Sequence, residues 1–368
     1  MHVGVAALDA LGPALQRLHA ATDTPVTARL RWMQAWTRAY AGWEPWLVTI
    51  GAADSEVAAA AAFARRRRGP LVRLVGLGHG TTDDARFPAR DADSAAQLAT
   101  GVTAALAQLR RPWSLLVEQL PAACPVTDAL LRGLPHARAL PGQGMPMAVV
   151  GAGHRELGSF ISRNARQAEN KARNRLTRLE HGLVEQWTQS VDDIRAAVPG
   201  LSALHRARDR QLGRVSDHAD PARAAFYADV IAGHAEAGEV DLLTLEVDGD
   251  LAAYVLGFRD GRALRVWDNR VSPAWADFSA GRLANHAAIR RVVLGTDYDV
   301  LDWMRGEEPY KLSSANVVVP TRHLEAWSSP AARLPYAVKD RVRALRGRSP
   351  TLDRAVVRIG RMGARNDD

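Results

Sequence analysis

The chain has 368 residues, 47% of them hydrophobic and 24% charged, with a formal net charge of +8. That length exceeds one compact domain of ordinary size, and the composition supplies a globular core, so two domains are expected. No apolar run reaches the roughly 18 to 20 residues needed to span a bilayer, which excludes a membrane-spanning helix.

Met1 to Ala10 lacks a basic stretch followed by an apolar one, so no signal peptide is expected. The single cysteine, Cys124, forms neither an internal disulfide nor a cysteine-based zinc site, and a cytoplasmic setting fits it. From Pro330 to Asp368 there are ten Lys/Arg against four Asp/Glu, and from His154 to His181 seven against three. Such basic segments suit nucleic acid, anionic lipid or a phosphorylated cofactor, or they are solvated faces of an arginine-rich protein. Only three of the 48 basic residues are lysines, namely Lys171, Lys311 and Lys339.

In chain order, Trp46 to Ile50 reads as a strand, Ala52 to Glu56 as a turn and Val57 to Ala64 as a returning strand. A basic turn over Arg65 to Pro70 leads to a strand over Leu71 to Leu77. A polar loop over Gly78 to Ala89, a helix over Asp93 to Leu109 and a strand over Ser114 to Leu120 follow. A basic helical stretch spans Phe160 to Leu179. The second half repeats the order. It opens with a strand over Leu183 to Thr188 and helices over Asp192 to Leu212 and Pro221 to Ala237, the latter capped by Asp220. Strands Val240 to Val247 and Leu251 to Phe258 flank the hairpin signal Asp248-Gly249-Asp250. A strand over Ala263 to Val271, a helix over Gly281 to Leu294 and strands over Val300 to Met304 and His323 to Trp327 complete it. Equivalent strands recur near 190 residues apart: Val57 with Leu251, Leu71 with Ala263, Leu115 with Val300. A duplicated architecture is therefore expected, with the halves packed together. Beyond it, an amphipathic helix is expected in the tail over Tyr336 to Leu345.

Three constellations carry chemistry. The turn Ser279-Ala280-Gly281-Arg282 before a helix points backbone N–H groups at an anion, or is an ordinary helix start capped by Ser279. Asp302-Trp303-Met304-Arg305-Gly306-Glu307-Glu308-Pro309-Tyr310-Lys311 places an expectedly buried carboxylate on a strand. Arg305 or Lys311 partners it in a structural ion pair, or the segment is a site rim that binds an amine and moves its proton. His205 and Asp209 share a helix face; with no cysteine ligand and no third placed histidine beside them they read as a surface salt-bridge lattice rather than a metal site. No nucleophile elbow and no dinucleotide fingerprint occurs.

Together these stretches resemble the CelD/BcsL-type acetyltransferases, a GNAT branch found beside polysaccharide-biosynthesis genes. The matching text is Ser162 to Gln167, His205 to Gly213, Leu243 to Phe258, Ser279 to Leu283 and, most specifically, Asp302 to Lys311. Ala280 stands where the family commonly has proline. The first half resembles a divergent leading GNAT repeat, with Trp32 and Trp36 on an early helix and no Tyr-Lys ending. The fold class implied is α/β, an α+β mixed sheet in tandem GNAT-like acyltransferase domains. The division expected is a degenerate half over 1–153, a basic connecting helix over 154–181, a catalytic half over 182–329 and a basic tail over 330–368.

The resemblance implies an acyl-CoA-dependent N-acyltransferase with acetyl-CoA or another acyl-CoA as co-substrate and no metal. The acceptor is an amine-bearing small molecule, sugar or peptide. Its thioester would lie between the strands over Ala263–Val271 and Val300–Met304, with Ser279, Ala280, Gly281, Arg282 and Asn269 as cofactor-binding residues. Glu308 is the expected base, Tyr310 the acid for the leaving thiolate, and Arg305 and Lys311 hold Asp302 or an anionic part of the acceptor. The same architecture serves Fem-type transferases that use aminoacyl-tRNA, so tRNA is an alternative partner; a non-catalytic assembly partner is the other.

Overall fold

A computed structural model describes residues 1–52, 56–151 and 155–334. The expected helix over Tyr336 to Leu345 lies outside them. The first half contains β1 (His2–Val3), α1 (Val5–Ala10), α2 (Gly12–Ala21), α3 (Leu30–Ala39), β2 (Glu44–Ala52), β3 (Glu56–Arg68), β4 (Leu71–Gly76), α4 (Ala92–Ala107), β5 (Trp113–Pro121), α5 (Pro125–Gly133), β6 (Arg138–Pro141) and β7 (Met145–Val149). The second contains α6 (Arg163–Arg178), β8 (Leu183–Thr188), α7 (Val191–Gln211), α8 (Pro221–Glu236), β9 (Val240–Val247), β10 (Asp250–Asp260), β11 (Ala263–Val271), α9 (Ala280–Val293), β12 (Val300–Asp302), α10 (Pro309–Leu312), β13 (Val317–Val319) and β14 (Thr321–Trp327).

The strands form two seven-stranded mixed sheets, ordered β1-β2-β3-β4-β5-β14-β6 and β13-β7-β12-β11-β10-β9-β8. Read from opposite ends, the orders superimpose: β3 answers to β10, β4 to β11 and β5 to β12, as the offsets of the sequence lead one to expect. In each sheet one neighbouring pair is parallel, β4 with β5 and β11 with β12. The chain therefore consists of two mixed α/β halves of one topology.

The halves exchange strands. β7, from the first half, lies between β12 and β13, while β14, from the end of the second, lies between β5 and β6. The strand expected over His323 to Trp327 is present, but in the first sheet. The cuts at 153 and 329 therefore do not follow the sheets. Another difference is local: Arg65 to Arg68 continue β3 instead of turning, because they pair with Leu71 to Leu74 across the tight turn at Gly69.

The halves share a core. Trp32 of α3 meets Phe226, Phe258 and Trp267 of the second half edge-on at centroid distances of 5.3, 5.7 and 5.1 Å. Such contacts add to the apolar area already buried. Ion pairs rim it, including Arg31–Glu239 and Arg38–Asp229, both at 2.8 Å. Among the described residues no helix is long and apolar enough to cross a membrane.

Candidate active site

The site forms where β11 and β12 part. They pair in parallel at Ala263–Val300, Leu264–Leu301 and Arg265–Asp302, after which β11 runs on to Val271 beside β10 but without β12. β12 stops short of the expected Met304 because Met304 adopts φ 58°, turning the chain away. The loop then passes Gly306, at φ 110°, whose N–H donates to the Gly144 carbonyl at 3.0 Å. The positive φ favours glycine, and a Cβ there would displace the Glu308 carboxylate, 2.5 Å away. Pro309 starts α10 at its first turn. α10 aims Tyr310 back across the gap, where its hydroxyl donates to Asn269 at 3.2 Å; Asn269 in turn donates to Asn285 of α9 at 2.9 Å.

Three adjoining cavities open here. One of about 630 Å³ lies between α9 and the start of α6, beside Ser162, Arg282 and Ser313. A second, about 460 Å³, borders Arg208, Arg214 and Gly281. The third, about 360 Å³, reaches the first half at Asp83 and contains Arg305, Glu308 and Lys311. Tyr310 lines all three. Burial pushes its phenol up to about 12, against the hydrogen bond to Asn269, so it remains protonated at neutral pH.

Arg305, Glu308, Tyr310 and Lys311 are thus brought together, and Asp302 is not. Asp302 is fully buried and ion-paired to Arg265 at 2.5 Å, with Met304 N–H donating to its other oxygen at 2.8 Å. Neither Arg305 nor Lys311 holds it, which corrects the pairing expected. The strand register places Arg265 directly beside Asp302, and Arg265 also reaches Asp260 at 2.6 Å and Asp84 at 3.9 Å. Burial raises the Asp302 carboxyl although Arg265 opposes the shift. Arg305 instead pairs with Asp83 at 2.7 Å. Lys311 is buried, donating to the Arg305 carbonyl at 2.6 Å and lying 3.1 Å from Glu308. Its compact ammonium ties the ends of the 305–308 loop together.

His205 and Asp209 do not form a surface lattice either. Both line the 360 Å³ cavity, 2.9 Å apart, and the other ring nitrogen of His205 lies 2.6 Å from Arg270. Arg270 carries only donors, so His205 accepts from it at Nε2 and donates from Nδ1 to Asp209. Burial lowers the His205 pKa, consistent with that neutral ring. Arg270 continues to Asp268 at 3.0 Å, which also accepts from Tyr227 at 3.0 Å and Tyr254 at 2.5 Å. Burial would raise Asp268, but Arg270, His205 and the two hydroxyls outweigh it and hold the carboxyl below its usual range. Sequence reasoning missed Asp268. Its signal was register, since it continues the buried face of Leu264 and Val266. It missed Asp83 as well, which lay unread in the polar loop over Gly78 to Ala89. Among the described residues no group of three or more His, Cys, Asp or Glu is placed to hold a metal.

Of the expected cofactor residues, Ser279 takes a left-handed φ of 60° and its side chain makes no capping bond, contrary to an ordinary cap. Ala280 is buried, Arg282 is exposed beside the largest cavity, and Gly281 packs on β11, where a Cβ would lie 3.3 Å from Val271. The equivalent α4 differs. Asp91 caps it, its carboxylate accepting from Ser94 N–H at 2.7 Å. In the second half, α6 is fixed beside α9 by Glu169, which lies 2.8 Å from His286 and 2.7 Å from Arg290. These partners overcome the effect of burial and hold that carboxyl at about 2.

Residues 163–312 match the family model described as the acetyltransferase (GNAT) domain. Solved structures with the same fold include FemX, with a TM-score of 0.60 at 12% identity over 87% of this chain and 97% of that one. A conserved protein of unknown function from Bacteroides thetaiotaomicron gives 0.53 at 13% identity, over 85% and 96%. The C-terminal domain of a putative lysylphosphatidylglycerol synthetase from Agrobacterium fabrum gives 0.53 at 11%, over 89% and 95%. No curated protein matches the chain. The second half thus carries a GNAT acetyltransferase domain match, set in a two-sheet fold like that of FemX along most of the chain.

Proposed function

We propose that the chain is an acyl-CoA-dependent N-acyltransferase, working in the cytoplasm, with its reaction centre at Tyr310. The observation that carries this reading is that Tyr310 stands where β11 and β12 part and borders all three cavities. The acyl-CoA occupies the 630 Å³ cavity, and its thioester reaches Tyr310 through the gap. The uncapped start of α9 and exposed Arg282 receive its phosphates. In the first half the Asp91 carboxylate occupies the equivalent helix start, which disfavours an anion there, so the donor binds only the second half. The CelD/BcsL-type assignment rests on the run from Arg305 to Lys311.

An acceptor amine enters through the 360 Å³ cavity. Glu308, directly or through water, takes a proton from the ammonium, and the freed amine attacks the thioester carbonyl. The C–N bond forms, the C–S bond breaks, Tyr310 gives its proton to the departing thiolate, and the second proton that the nitrogen sheds restores the Tyr310 phenol. Lys311 and Gly306 position Glu308. Tyr310→Phe is expected to lower turnover at least about tenfold, about 1.4 kcal/mol of transition-state stabilisation. Acetyl-CoA affinity by calorimetry should stay within about twofold. Full activity in the variant would remove Tyr310 from the chemistry, and acetyl-CoA binding without turnover on any amine would favour a non-catalytic partner.

A second reading, an aminoacyl-tRNA donor, is favoured by the exposed basic residues Arg163, Lys171, Arg175 and Arg178 on α6, whose start borders the donor cavity. Steeply salt-dependent tRNA binding, with none of acetyl-CoA, would select it.

A further inference from the structure

The cavity assigned to the acceptor is lined by five cations: Arg214, Arg223, Arg270, Arg305 and Lys311. Three are held by carboxylates of the same cavity: Arg270 by Asp268 at 3.0 Å, Arg305 by Asp83 at 2.7 Å and Lys311 by Glu308 at 3.1 Å. Asp209 accepts from the neutral His205 ring and keeps its charge. The cations left over are Arg214 and Arg223, against two carboxylates, Asp209 and the exposed Asp217, neither of them ion-paired to Arg223. Arg214 is exposed on the loop after α7. Arg223 is half-buried, donates to the Gly80 carbonyl at 3.2 Å, and lies over the Phe226 ring at 5.9 Å. It is therefore held in place while no described carboxylate lies within ion-pairing distance. Its charge reaches the cavity floor, where it helps oppose the burial of Asp83 and adds to the depression of His218.

A guanidinium fixed by its surroundings but left without a counter-ion is a ready anion site, because its ordering is already complete before a ligand arrives. We infer that the acceptor is an amine bearing an anionic group, carboxylate or phosphate, which Arg223 binds while the amine faces Glu308. The inference rests on the proposed acyl-transfer reading for the amine's place, but not for the anion site itself. Arg305 and Lys311, the residues that the sequence suggests for this task, are already committed to Asp83 and Glu308.

Three probes of one chain length separate the contributions: 6-aminohexanoate, 6-aminohexyl phosphate and hexylamine. Each is titrated calorimetrically into the full chain, the Arg223→Gln variant and the Arg223→Lys variant, with acetyl-CoA titrated in parallel. At least one anionic probe should bind wild type tenfold or more tighter than hexylamine, and which one does so distinguishes carboxylate from phosphate. Arg223→Gln should reduce that advantage to threefold or less without changing hexylamine or acetyl-CoA affinity, and Arg223→Lys should restore part of it. Equal binding of all three probes to wild type, no binding of either anionic probe at millimolar concentration, or an anionic advantage that survives Arg223→Gln would overturn the proposal. Failure of acetyl-CoA alone to bind would count against the donor reading and leave the probe comparison intact.

Discussion

His19 is buried on α2 with neither ring nitrogen hydrogen-bonded, and burial followed by the nearby Arg29 lowers its pKa to about 4. His218 is lowered to about 4 too, by burial and then by His205 stacked on it at 4.0 Å. Between that value and the ordinary 6.5 the unfolded chain binds more protons than the folded one. The stability that these rings provide is therefore intact above about pH 6.5 and lost as the pH falls towards 4. His19→Leu removes one such group without leaving a void. Its loss of stability between pH 6.5 and 5, read from urea unfolding, is expected to be smaller than wild type's by about 1.5 kcal/mol. An unchanged acid dependence would show that His19 is protonated in the folded state. Lys311 teaches a different lesson at this scale. Its rarity in an arginine-rich chain marked it as special, and it proves to be a buried brace for the 305–308 loop.

At the scale of elements, period-2 and period-3.6 patterns made most of the site's scaffold legible. β9, β11 and α9 match their expected spans within a residue, and the hairpin at Asp248-Gly249-Asp250 announced the β9–β10 pair. β7 was not legible. Met145-Pro-Met-Ala-Val is short and carries a proline, a poor local strand, and forms because β12 and β13 flank it. The Arg265–Asp302 pair was hidden for a related reason, since it depends on parallel register across 37 residues. Gly281, expected from the sequence to let a donor phosphate approach, also answers a packing demand. A small residue is required there partly because α9 seats on Val271. Gly281→Val is thus expected to cost about 1–3 kcal/mol of stability by overpacking, measured by chemical unfolding, besides weakening acetyl-CoA. Unaltered stability would mean that α9 shifts freely. Arg282, which is exposed, is the cleaner position for probing the proposed phosphate contact.

For the whole molecule, the exchange of β7 and β14 means that neither sheet is complete without the other half, and the Trp32 aromatic cluster joins the two cores. The halves are expected to unfold in one transition, with calorimetric and van't Hoff enthalpies agreeing. Two separated transitions would show that each half closes its sheet alone. The exchange also sets a schedule for synthesis. On the ribosome the first 150 residues emerge early, yet β5 and β6 stay apart until residues 321–327 arrive to fill the place between them. Through most of translation the nascent chain therefore carries open strand edges, exposed to neighbours on the same message. A stop codon shortly before Thr321 would release nearly the entire chain while leaving those edges permanently bare.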